Sequence, residues 1–281
     1  MYYRTYSNSG NGPTGEADPA TVSSFRLDKY LVTVGRFRQF VKAWDGAAGY
    51  YPPTGSGKHT YLNGGLGLAN SAIPGTFEAG WVASDNIWIA PEDANLAATP
   101  YCSNYATWTA MAGGQESLPI NCVTWQEAYA FCIWDGGFLP SEAEWGYAAA
   151  GGNQQREYPW GSAAPGATNQ YAIYGCDYPS DSKLGCFAAS VAPVGTTTLG
   201  VGRWGQLDLA GEVFEWNLDW YASYRNPCTN CAYLEETVPG LVSRGGSFYV
   251  GAQTLQSSLR FSDLPSYFRD FNIGFRCARA P

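Results

Sequence analysis

Two stretches carry side chains whose types and spacing could do chemistry. In GQLDLAGEVFEWNLDWY, Asp208 and Glu215 flank the backbone carbonyls of Gly211 and Val213, which places hard oxygen donors on one tight turn, the donor set calcium prefers. The same turn could instead spend both carboxylates on backbone amides and need no ion. In YVGAQTLQSSLRFSDLPSYFRDF, Arg260, Asp263, Tyr267, Arg269 and Asp270 interleave charge with aromatic faces. Together with Trp216, Asp219 and Trp220 from the first stretch, they could line a groove for a protein, peptide or glycan ligand. The other reading of the same residues is internal: Arg260 and Arg269 pair with Asp263 and Asp270 and stiffen the loop. The single histidine, His59, lies in GSGKHTYLNGG, where a lone solvated loop histidine is expected.

Eight cysteines, an even number, point to an oxidising compartment and so to a chain that is secreted, periplasmic or attached to a cell surface. Three pairs would close local rings: Cys102 with Cys122, Cys176 with Cys186, and Cys228 with Cys231. Zinc is the rival for the CxxC at Cys228, but one histidine and no second CxxC leave it short of ligands. No signal peptide or membrane-spanning run is present, so the expectation is a chain that begins after a removed targeting segment. A net charge of −8 without a Lys/Arg cluster argues against a nucleic-acid surface. Aromatic residues at 16% against 14% charged provide ample apolar area to bury, which excludes a disordered chain. That aromatic content would permit an oligomer contact, although nothing singles out a patch.

The elements that must position these residues are legible in part. Thr124-Trp125-Gln126-Glu127 and Ser141-Glu142-Ala143-Glu144 read as capping boxes, each opening a helix. The first helix would carry Trp125, Ala128, Tyr129, Cys132 and Ile133 on one stripe and stop at Gly136-Gly137; the second would run from Glu142 to Ala150. Phe25 to Val32 alternates as a strand, after which Thr33 caps a helix presenting Val34, Phe37, Phe40, Val41 and Trp44 on one face. Leu241 to Phe248 and Asn272 to Ala278 read as further strands. Residues 1–23 read as an extended or loosely held lead-in, and residues 24–281 as one domain. Within it, 46–118 has no period and is expected to be a long loop insertion over the surface.

The motifs resemble those of the formylglycine-generating enzymes, or sulfatase-modifying factors. Val123, Trp125, Ala128, Phe131, Cys132 and Trp134 begin the series, followed by Leu139 to Trp145 and Tyr158 to Gly161. Gly205, Asp208, Gly211, Val213, Glu215 and Trp216 continue it, then Arg244 to Phe248 and Gly274 to Cys277. In one order from about Phe25 to Cys277 they cover most of the chain. Phe138 stands where the family usually has Arg, and Gly146 where it usually has Glu.

The resemblance implies an α+β, C-type-lectin-like fold: a small, twisted, mostly antiparallel sheet flanked by helices, with many irregular loops and disulfide staples. It implies a bond between Cys132 and Cys277, where the family joins its core helix to its C-terminus. It also implies calcium at Asp208, Gly211, Val213 and Glu215, although the family usually has Asn at the position of Asp208. The family's activity needs two cysteines, five residues apart, that bind copper and activate oxygen; here those places fall on Val250 and Leu255, which cannot ligate a soft ion. An iron site of three histidines, used by another branch of the superfamily, cannot be assembled from His59 alone. Neither copper nor iron is therefore expected. Because the same fold also serves as a binding scaffold, the expectation is a binding or structural module. The alternative is a divergent metal-dependent oxidase or oxygenase, with carboxylates such as Asp219 and Asp263 as ligands.

Overall fold

The computed structural model describes residues 1–44, 49–179, 185–237, 240–262 and 265–281. In chain order the elements begin with β1 (Tyr2–Asn8), β2 (Pro13–Thr21), β3 (Arg26–Leu27), α1 (Val34–Trp44), β4 (Ala69–Asn70) and α2 (Asp93–Ala97). Helices α3 (Trp125–Trp134) and α4 (Glu142–Ala149) follow, then β5 (Phe214–Trp220), β6 (Cys228–Thr229), β7 (Cys231–Ala232) and β8 (Leu241–Arg244). The chain closes with β9 (Phe261–Ser262), β10 (Ile273–Gly274) and β11 (Ala278–Arg279).

The central sheet has the order β10-β5-β8-β9, with β5 antiparallel to β8 and parallel to β10. Glu215 faces Arg244 across β5 and β8, and Trp220 faces Leu241, so the two motif stretches are registered against each other. Both expected capping boxes are present. The Thr124 hydroxyl accepts from the Glu127 amide while the Glu127 carboxylate accepts from the Thr124 amide, and Ser141 and Glu144 do the same. Beyond the two helices, Gly136 and Gly151 turn the chain in the left-handed conformation, at φ 77° and 65°. Helix α3 departs from a one-sided stripe: every residue from Gln126 to Cys132 is buried. It packs between α1, β5 and the turn at Ala83–Trp88, so water reaches almost none of its circumference.

All four expected disulfides are formed, including the Cys132–Cys277 link from α3 to the end of the chain. Two regions differ from expectation. The lead-in is a β1–β2 hairpin that buries Tyr2, Tyr6 and Ala20 and pairs onward with β6. The described part of the 46–118 segment, from residue 49 on, is not a surface excursion, because Leu62, Leu68, Trp81, Ile89, Leu96 and Trp108 belong to the main hydrophobic core. Aromatic side chains spaced without a period can still converge once the backbone folds back, and periodicity does not see this. Among the described residues, no helix is long and apolar enough to cross a membrane.

Candidate functional site

In the 205–221 stretch, the two carboxylates expected to bind an ion already have partners. Both oxygens of Glu215 are held by Arg276, Nε at 2.7 Å and Nη2 at 3.0 Å, and the pair is fully buried. The same guanidinium donates to the Leu207 and Asp208 carbonyls. Asp208 accepts from the Gly195 amide at 2.7 Å and the Thr197 hydroxyl at 3.1 Å. Calcium takes about six to eight oxygens. As they stand, Asp208, Gly211, Val213 and Glu215 do not fit it, because a fixed guanidinium already faces the Glu215 carboxylate that would lead the coordination. Neighbouring Glu212 is buried with Oε1 unpartnered, and burial, reinforced by Asp208, pushes its carboxyl well above the usual range.

The described residues of the 249–271 segment are pinned rather than free. Arg260 grips Glu142 with Nε at 2.8 Å and Nη2 at 2.6 Å and lies over the rings of Tyr221 and Tyr224. Arg269 grips both oxygens of Glu127. Their partners are thus glutamates of the first turns of α4 and α3. Asp270 accepts from the Asn272 amide, and Asp263 lies outside the described residues. Trp216 is a core residue whose indole donates to the Val123 carbonyl. Asp219 is buried and accepts from the Glu142 and Tyr233 amides. Burial, and then the charge of Glu142, pushes its carboxyl up to about 7. Leu255 is buried beside Ala172 and Ala210, while Val250 is part-buried and its carbonyl accepts from Gly175.

His59 corrects the sequence expectation outright. It is 0% exposed, with Nδ1 3.0 Å from Glu78 and Nε2 3.0 Å from Glu144. Its ring lies 3.8 Å from that of Phe138. The position where the resembled family has Arg is therefore apolar here, and a cation from the 46–118 segment serves Glu144 instead. The other departure has a similar cause. A Cβ at Gly146 would stand 2.7 Å from the Tyr2 hydroxyl, which donates to the Ala143 carbonyl, so β1 fills the space a side chain would need.

Of the expected groove, the part that stays accessible lies in a cleft of about 490 Å³ between α3, the end of β5 and the Phe77–Trp88 segment; a cavity of about 510 Å³ beside Phe25, Tyr147 and Trp204 contains none of the expected residues. Of the expected groove residues the cleft brings together Trp220 and Tyr267, and adds Trp88, Trp125 and Tyr129. Tyr267 stacks on Trp88 with centroids 5.0 Å apart, and both are substantially exposed. Glu78, Asp85, Glu235 and Glu236 supply the charge, and among the described residues the lining holds no Lys, Arg or His. Gln126 sits in its floor, buried, with Nε2 donating to the Ser266 hydroxyl and Oε1 without a partner. Sequence reasoning missed the acidic members; the one available signal was Asp85 and Trp88 within an aromatic stretch of no clear period.

A family model described as the sulfatase-modifying factor enzyme 1-like domain matches residues 4–281. The formylglycine-generating enzyme of Thermomonospora curvata is 28% identical over 289 residues, covering 95% of this chain and 86% of the relative. The inactive C-alpha-formylglycine-generating enzyme 2 of Mus musculus is 31% identical over 162 residues, covering 57% of this chain and 49% of the relative. Among solved structures, PvdO from Pseudomonas aeruginosa superimposes with a TM-score of 0.55 at 21% identity, covering 98% of this chain and 86% of that one.

Proposed function

This chain belongs to the sulfatase-modifying factor enzyme 1-like family, and from that premise we propose that it is an exported binding module working without the copper and oxygen chemistry of its enzymatic relatives. The observation that carries this reading is the cleft: it is open, aromatic and acidic, and it contains Trp220 and Tyr267, the two groove candidates among the described residues whose side chains no internal hydrogen bond or ion pair already holds. Supporting it, Val250 and Leu255 offer only hydrocarbon where the family's redox thiols would stand. All eight cysteines are in disulfides, so no thiol is left to stand in. The four bonds also favour an oxidising compartment outside the cytoplasm. The existence of an inactive relative in Mus musculus fits a family in which the scaffold outlives the chemistry. Calcium has no part in this proposal, because Glu215 is committed to Arg276.

The test is a titration followed through the indole N–H resonances of Trp88 and Trp220, using neutral oligosaccharides and short peptides of defined charge. A saturable shift that Trp220→Ala abolishes is the expected result. Undisturbed indoles with every probe, together with metal-dependent turnover of a peptide, would overturn the reading.

A further inference from the structure

The cleft's charge is one-sided. Asp85, Glu235 and Glu236 line it, and none has a cation within ion-pair distance among the described residues. By contrast, the buried Glu127, Glu142 and Glu215 each receive an arginine. Burial pushes the Asp85 carboxyl above its ordinary range with no cation to pull it back. Independently, Gln126 presents a buried carbonyl oxygen with no donor, which costs stability unless something arrives to satisfy it. Trp88 and Trp220 add aromatic faces, whose negative quadrupole attracts cations.

Resting on the binding reading above, we propose that the cleft takes the lysine or arginine side chains of a polypeptide partner. The ammonium or guanidinium would answer carboxylates that lack a cation and donate to Gln126 Oε1, while the alkyl stem covers the tryptophan faces. A neutral sugar satisfies the aromatic surface but leaves three carboxylates uncompensated. The net charge of −8 draws such a partner from a distance, and more weakly as salt is raised.

The probes are acetyl-(Gly-Lys)₃-amide, the same peptide with every lysine Nε-acetylated, free lysine methyl ester, and cellohexaose. Binding is read by calorimetry and by the Trp88 and Trp220 indole resonances, with near-UV circular dichroism confirming that each variant is folded. The lysine peptide is expected to bind saturably at the cleft and more tightly than the free ester, which lacks the polypeptide. Acetylation is expected to weaken it at least about tenfold, and Glu235→Gln/Glu236→Gln, two exposed positions, several-fold. If the acetylated peptide or cellohexaose binds the same indoles as well as the lysine peptide does, the cationic class is wrong while the cleft remains a binding site. Equal binding by the ester would overturn the polypeptide partner. If no probe moves those resonances, the binding reading itself fails.

Discussion

Burial alone would strip the proton from His59, but Glu144 and Glu78 outweigh it and raise its pKa to about 9. Unfolded, the same imidazole titrates near about 6.5. The folded value is the higher one, so the stabilisation is fully present below about pH 6.5 and is lost as pH climbs through about 9, a change of roughly 3 kcal/mol. Wild-type protein should therefore lose more melting temperature than His59→Gln between about pH 6 and about pH 9.5. Parallel losses in the two proteins would mean that His59 is not the titrating group. Arg269 gives a second case. Its loss leaves Glu127 buried without its cation, so Arg269→Ala should cost about 3–5 kcal/mol in urea unfolding. A variant of unchanged stability but weakened ligand binding would return Arg269 to the ligand surface. The arginines stand out in the sequence, but their partners do not. Arg269 and Glu127 are 142 positions apart, and Arg260 and Glu142 are 118 apart, beyond the reach of any local pattern.

Among the elements, the capping boxes were legible because both halves of each device lie within one helical turn. The complete burial of α3 was not, since it depends on what three distant segments lay over it. The β1–β2 hairpin hid for a different reason: its strands are polar on the outer face, and Tyr2 and Tyr6 gain their burial against α4 and the segment that follows it. The disulfides divide by loop size, with Cys132–Cys277 spanning 145 positions and Cys228–Cys231 spanning 3. Loop-closure entropy assigns them about 5 and about 2 kcal/mol. Thermal melts of the paired variants Cys132→Ala/Cys277→Ala and Cys228→Ala/Cys231→Ala should show the larger fall for the first. The reverse order would mean that the short CxxC ring holds β6 and β7 in a way that entropy does not describe.

For the molecule as a whole, the family was legible because its motifs are spread along the chain in order, and each sits where the fold needs it: two helix starts, the β5 loop, the β8 turn and the last strands. Recognition was less legible. Trp220 and Tyr267 could be named as groove candidates, but Asp85, Gln126 and Glu235 join them only through the tertiary fold. The departures at Phe138 and Gly146 proved to be compensated from the two regions that looked least structured, by His59 and Tyr2. The chain shares the family's scaffold and carries hydrocarbon, Val250 and Leu255, at the places where the resemblance implies sulfur. This is tested most directly by loading the protein anaerobically with Cu(I), removing unbound metal by gel filtration, and measuring copper per chain and oxygen uptake with a cysteine-bearing peptide. The result expected is no stoichiometric copper and no peptide-dependent uptake; one copper per chain with uptake that follows the peptide would contradict it.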